Sequence, residues 1–164
     1  MTLVEVIVAS AIFISVLLAA TSIFLTVAKN QRRMFIAQEL QDNGRFIIES
    51  VAKEIRTSRS IKTSPVNCNN GSSDIINVIN QAGKSVEFQF KIAPKPEFQR
   101  KDESGGWKTL NSSRTLVSGE FNVICYGDVG PANQAVVTIT LRLQSDSAAN
   151  PVIYTESSLS PRIY

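Results

Sequence analysis

A single carboxylate, Glu5, lies near the start of an otherwise apolar helix and constrains the chain more than any other residue. The sequence opens Met-Thr-Leu-Val-Glu and then carries no charge from Val6 to Ala28. An uncharged apolar run of roughly 18–25 residues is long enough to cross a bilayer. A carboxylate inside such a segment is costly and needs a partner, so it is a functional residue by default. The nearest cation is an α-amino group, its own or that of a neighbouring copy, which predicts a chain that polymerises through its N-terminus.

The apolar run is predicted to be retained, because it lacks the basic n-region, the short apolar core and the cleavage site of a signal peptide. Lys29, Arg32 and Arg33 follow the run, and the positive-inside rule would place that side in the cytoplasm. A basic leader that was removed after insertion would resolve this conflict, and the alternative is an anchored protein whose domain lies inside the cell. We therefore divide the chain into 1–28, the transmembrane or filament-core half of the helix, and 29–164, its amphipathic half plus a globular domain.

Beyond the apolar run the helix becomes amphipathic, and it is predicted to extend from Thr2 to about Arg56. Apolar residues recur there at spacings of three or four and form one stripe. The stripe consists of Ile36, Leu40, Gly44, Ile47, Val51 and Ile55. Glycine inside a helix costs about 1 kcal/mol relative to alanine. Gly44 therefore indicates a bend, close packing against a sheet, or a tolerated glycine.

The rest of the chain is predicted to form an antiparallel sheet, one face of which is covered by the helix stripe. The fold class is therefore α+β. Runs with alternating or β-branched apolar residues are candidate strands. They are 75–79, 86–92, 115–117, 121–126, 135–143 and 152–155. The Ser- and Asn-rich segment 57–74 and the charged segment 94–106 are predicted loops.

The composition argues against an enzyme. The chain has no histidine, which removes the commonest general base and the commonest metal ligand. It also has no Gly-x-Ser-x-Gly motif and no phosphate-binding glycine loop. Glu97, Asp102 and Glu103 are expected in a solvated acidic turn. We therefore predict no catalytic residue, no metal and no cofactor.

Two predicted modifications depend on where the second part of the chain lies. Cys68 and Cys125 both follow the apolar run, and export would allow them to form a disulfide, the alternative being two reduced thiols. Asn111 begins a formal N-glycosylation sequon, which on its own is weak evidence of modification.

A basic stretch contains Lys91, Arg100 and Lys101, with Trp107 nearby. Cations that bind phosphates and aromatic rings that stack on bases are the means by which proteins bind single-stranded DNA. Charge runs usually face water, so the simpler interpretation is a solvated loop with a core tryptophan. DNA contact by the three cations is kept as an alternative.

The start Met-Thr-Leu-Val-Glu before a long apolar helix resembles the class III-like mature N-terminus of type IV pilins and pseudopilins, whose usual start is Phe-Thr-Leu-Ile-Glu. This resemblance implies a leader removed by a membrane peptidase and a methylated Met1. It implies that Glu5 neutralises the Met1 α-amino group of an adjacent subunit, with the Thr2 amide as a further donor. It also implies a filament-core helix lined by Leu3, Val4, Val6, Ile7, Phe13, Leu17 and Phe24. Many major pilins carry glycine and proline at the positions of Ile14 and Ser22, so this helix is expected to be more continuous.

Segments 38–46, 52–56 and 155–162 are similar to W-type minor pilins and J-type pseudopilins. The resemblance implies a pilin fold, copolymerisation with itself or other pilins, and an inner-membrane assembly platform. It implies a membrane location before assembly and a cell-surface pilus afterwards, used for adhesion, twitching motility or DNA uptake. The expected function is that of a structural pilin. The alternatives are a low-copy minor pilin or pseudopilin that primes a pilus, type II secretion or competence filament, and a DNA-binding pilus subunit.

Overall fold

The computed structural model describes residues 2–63, 71–103, 105–126, 134–146 and 151–161, and only the backbone of 62, 63, 125, 126 and 134. The chain divides into two compact units, Met1–Ile36 and Ala37–Tyr164. One helix, α1 (Leu3–Arg56), runs without a break through the boundary.

The first unit contains the apolar part of α1 and the basic residues that follow it. Every side chain from Thr2 to Phe35 is exposed. By length and composition alone, this helix is sufficient to cross a membrane. Exposed apolar surface of this extent is unfavourable in water and marks a surface that a membrane or another protein covers.

The second unit combines the end of α1 with two antiparallel sheets, which confirms the predicted α+β class. The strands found among the described residues are β1 (Ser58–Thr63), β2 (Gly71–Ser73), β3 (Ile75–Asn80), β4 (Ser85–Lys91), β5 (Glu97–Asp102), β6 (Lys108–Thr109), β7 (Thr115–Tyr126), β8 (Gln134–Ser145) and β9 (Val152–Leu159). One sheet has the order β1-β3-β4-β5-β6 and the other β2-β7-β8-β9. The strands thus form two sheets where the sequence had indicated one.

The core of the second unit lies between the inner faces of the sheets and α1. Phe90 joins the two sheets, because its ring centroid lies 4.9 Å from that of Phe98 on β5 and 4.9 Å from that of Phe121 on β7. Gly44 of α1 packs closely on β8, where a Cβ would lie 3.1 Å from Leu143 Cδ1. Close packing against β8 therefore accounts for this glycine.

The segment 97–102, predicted as part of a loop, is strand β5 and lies between β4 and β6. Its many charged residues are typical of a loop rather than a strand. In the sheet, however, Lys101 is opposite Glu87 and Glu97 is opposite Lys91, so the charges are paired across strands. The segment 57–74 likewise contains β1 and β2.

Candidates 115–117 and 121–126 are one strand, β7, which continues through Gly119. A Cβ at Gly119 would overlap the carbonyl oxygen of Thr140 on β8. The absence of that atom lets the two long strands pair without interruption at this point.

Candidate functional site

Glu5 occupies the third position of the first turn of α1 and caps that turn. Its Oε2 accepts a hydrogen bond from the Thr2 amide at 3.3 Å. The Thr2 carbonyl in turn accepts from the amides of Glu5 at 3.1 Å and Val6 at 3.4 Å. This is one half of a capping box, in which a carboxylate at the third helical position satisfies an amide that the helix leaves unpaired. The helix N-terminus also stabilises the negative charge.

This geometry leaves Glu5 able to accept a hydrogen bond from a second donor or to pair with a cation. Its Oε1 has no hydrogen-bond partner within the described part of the chain, and Met1, with its α-amino group, lies outside that part. The pairing of Glu5 with the Met1 amine of another copy therefore stays a prediction.

The hydroxyl groups of the apolar segment are satisfied inside the helix. Each donates to a carbonyl three or four residues earlier, at 2.8–2.9 Å. They are Ser10, Ser15, Thr21, Ser22 and Thr26. A hydrocarbon environment penalises unpaired polar groups, so these bonds make the segment compatible with lipid or with a dry helix bundle. The predicted filament-core residues are all exposed here, at Leu3, Val4, Val6, Ile7, Phe13, Leu17 and Phe24.

The stripe of α1 meets the sheets through four of its predicted packing residues. Leu40, Ile47, Val51 and Ile55 are buried. Ile36, the last residue of the first unit, is half-buried. The stripe thus holds the second half of α1 in the core of the second unit.

The predicted disulfide cannot be placed. Cys68 lies outside the described residues, and only the backbone of Cys125, opposite Ala135 in the β7–β8 pair, is described.

The three cations predicted to contact DNA do not share a surface. Arg100 lies on the inner side of β5, where its Nη2 is 3.1 Å from Glu54 Oε1 and 2.9 Å from Asp102 Oδ1. Lys101, the next residue, lies on the outer side, with Nζ 3.4 Å from Glu87 Oε2. Lys91 is exposed at the end of β4, opposite Glu97. These placements give no geometric support to a phosphate-binding patch.

The carboxylates of β5 and the turn after it are not gathered into a reactive group. Glu97 Oε2 accepts from Thr109 Oγ1 at 3.0 Å and from Gln99 Nε2 at 3.1 Å. Asp102 pairs with Arg100, and Glu103 is exposed. Within the described residues, no three His, Cys, Asp or Glu side chains lie together as metal ligands would.

Two residues have roles that the sequence did not reveal. Asn111 is buried: its Oδ1 accepts from the Phe98 amide at 2.9 Å, and its Nδ2 donates to the Thr115 carbonyl at 2.6 Å. A glycan on that nitrogen would break this connection, so the sequon is structural. Trp107, expected in the core, is exposed at the surface. Gly105 and Gly106 precede Trp107, Ser112 and Ser113 follow Asn111, and nothing in these residues indicates which side chains point inward.

Comparisons of the chain with protein families, with curated proteins and with solved structures found no match.

Proposed function

We propose that this chain is a structural subunit of the pilin type, which polymerises through its N-terminal helix into an extracellular filament. Before assembly the apolar half of the helix would lie in the inner or cytoplasmic membrane. The filament would serve adhesion, motility or uptake, and Met1 would be the site of modification by the leader-processing enzyme.

One observation carries this proposal: Glu5 caps its own helix at the very end of an apolar segment whose side chains are all exposed. If the only role of this carboxylate were to cap the helix, it would cap equally well with water around it and would need no apolar surroundings. In an apolar setting it favours a cation nearby, since an unpaired buried charge is costly. A neighbouring copy offers that cation as its α-amino group. The same contact repeated from copy to copy is heterologous, and it yields an open filament where the rotation between copies does not close a ring.

The test is the isosteric change Glu5→Gln, compared with Asp42→Asn on the same helix. Asp42 is an exposed carboxylate of the second unit, so its change is the matched control. Glu5→Gln should insert in the membrane normally but reduce sheared filaments more than about tenfold, because it leaves the incoming ammonium uncompensated. Asp42→Asn should assemble as the unchanged chain does. Normal filament yield from Glu5→Gln, with insertion verified, would refute the pairing.

A low-copy minor pilin or pseudopilin is the second candidate, supported by the resemblance of 38–46 to such proteins. Abundance separates the two: a dominant band in sheared filaments indicates the main subunit, and a trace indicates a priming or capping subunit. DNA binding is not carried further, because Arg100 and Lys101 lie on opposite faces of β5 and both are paired.

A further inference from the structure

Trp107 is the one tryptophan in the sequence, and it lies at the surface with 38% of its area exposed. It directly precedes β6 and follows two glycines, Gly105 and Gly106. Tryptophan is usually well buried, and an exposed indole combines an apolar ring with a polar N–H. An exposed tryptophan is therefore a candidate contact for a ligand that offers both apolar and polar groups.

The indole is held in place from one side. Lys101 Nζ lies 5.6 Å from the ring centroid, within the range of a cation–π contact. The same ammonium is 3.4 Å from Glu87 Oε2, which positions the lysine. The ring is thus oriented before any ligand arrives, and pre-organisation lowers the free-energy cost of binding.

Beside Trp107 lies an ordered polar surface, the amide face, formed by Asn77, Glu87, Gln89 and Lys101 on the outer side of β3, β4 and β5. Gln99, on the same side of β5, is buried, and its Nε2 donates to Glu97 Oε2 and Thr109 Oγ1. Asn77, Glu87 and Lys101 are consecutive partners across the three strands, and Gln89 is opposite Gln99 in the next row. Asn77 Nδ2 donates to Glu87 Oε1 at 3.2 Å, and Gln89 Nε2 donates to Gln99 Oε1 at 2.8 Å. Neighbouring strands lie about 4.8 Å apart, and residues on the same face of a strand lie about 6.7 Å apart. The amide face is therefore about as large as one or two sugar rings.

The charges of the amide face indicate a neutral ligand. Glu87 is paired with Lys101, so a phosphate or sulfate would have to displace a carboxylate to reach the ammonium. A protein partner would need further apolar side chains around the indole, since interface centres are depleted in charge. Lys101 lies against the indole and pairs with Glu87 instead, and the other side chains of the amide face are polar. Fixed donors and acceptors in one plane, beside an aromatic ring, match the hydroxyl groups and the C–H face of a pyranose.

We propose that Trp107 and the amide face bind a neutral glycan, with a sugar ring on the indole and its hydroxyls hydrogen-bonded to the half-buried amides of Asn77 and Gln89. Binding of this kind is independent of polymerisation, because all these residues lie in the second unit. It would give the surface of the protein an adhesive function that requires no cation cluster.

The single tryptophan makes the test direct, because all indole fluorescence comes from Trp107. The full chain is studied in phosphocholine detergent micelles, since alkyl-glycoside detergents would compete for the site. Cellotetraose, maltotetraose, chitotetraose and lactose are titrated, with 3′-sialyllactose as the charged counterpart of lactose. We expect a saturable change in fluorescence with at least one neutral sugar and little dependence on salt.

Two variants locate the site by calorimetry, which does not need the indole. Trp107→Ala should weaken binding of that sugar by about tenfold or more, as loss of a central aromatic contact does. Tyr154→Ala, which removes an exposed aromatic ring from β9 of the other sheet, should bind unchanged. Circular dichroism melts verify that both variants fold. No response to any neutral sugar, equal affinity in Trp107→Ala, or binding of the sialylated sugar alone would overturn the proposal.

Discussion

At the scale of single residues, the glycine at 119 shows how one missing atom permits a long strand pair. A Cβ there would overlap the Thr140 carbonyl oxygen on β8 and lie 3.1 Å from the Phe90 ring. The carbonyl belongs to the paired backbone of β8, so it cannot move aside without breaking the ladder. Strand propensity alone favours alanine over glycine. Propensity therefore predicts that Gly119→Ala raises the free energy of unfolding, whereas packing predicts that it lowers it.

We expect Gly119→Ala to destabilise the protein by about 3 kcal/mol, the upper end of the roughly 1–3 kcal/mol that overpacking costs, because the backbone oxygen it meets cannot move aside. The matched control is Gly106→Ala, where no heavy atom lies within 4 Å of the added Cβ. That change should stay within about 0.5 kcal/mol. Urea unfolding followed by Trp107 fluorescence measures both. A stabilised Gly119→Ala variant would show that propensity outweighs packing at this position.

At the scale of elements, α1 is tied to the first sheet by an ion pair as well as by its apolar stripe. Arg100 of β5 bridges Glu54 of α1 and Asp102 of its own strand, and its guanidinium lies 6.0 Å from the centre of the Phe88 ring. The Glu54 side chain is only 15% exposed. Removing the arginine would therefore leave a largely desolvated carboxylate without its partner.

We expect Arg100→Leu to cost about 1–3 kcal/mol of stability, with part recovered in the double variant Glu54→Leu/Arg100→Leu. The comparison is Arg45→Leu, which breaks the pair with Glu49 on the exposed side of α1. That pair raises the pKa of Arg45 through its hydrogen bond and charge, but its side chains are 79% and 63% exposed. Such surface pairs contribute little, so this loss should be much smaller than the loss for Arg100→Leu. If thermal melts showed equal losses of stability for Arg100→Leu and Arg45→Leu, the Arg100–Glu54 pair would contribute no more than the exposed Arg45–Glu49 pair, contrary to this prediction.

The elements that sequence patterns predict well are those whose own residues determine them. Helix α1 has an uncharged apolar half and then a single stripe, and strand β8 alternates from Val137 to Gln144, so each is recognisable without its neighbours. Strand β5 is different, because Phe98 is its only strongly apolar residue. Its cationic and acidic side chains become compatible with a sheet only once Glu87 and Lys91 lie opposite them. A local pattern contains no information about such cross-strand partners.

The same limit applies to the candidate sites. Glu5 could be recognised because its surroundings in the sequence are also its surroundings in the helix. Asn111 and Trp107 could not be recognised, because their partners lie on strands. The partners of Asn111 are Phe98 and Thr115, and the partner of Trp107 is Lys101.

At the scale of the whole molecule, the two units differ in whether their apolar side chains are exposed or buried. The first has no buried side chain from Thr2 to Phe35, so nothing in it contributes to a core of its own. The second has an aromatic and aliphatic core and polar outer faces. The stability of the second unit should therefore be separable from the first, whereas solubility and assembly should depend on the first.

We expect residues 37–164, produced alone, to be soluble, monomeric and cooperatively folded, with stability within about 1 kcal/mol of the full chain, since the deletion removes no buried side chain. A shorter fragment, 45–164, is the control, because it also loses the buried Leu40 and the bond from the Ser112 amide to Asn43 Oδ1 at 2.9 Å. Removing a buried leucine and that hydrogen bond should cost about 3–5 kcal/mol. Light scattering coupled to gel filtration gives the oligomeric state, and urea unfolding gives the stability. Aggregation of 37–164, or equal stability of the two fragments, would mean that the boundary between the units is misplaced.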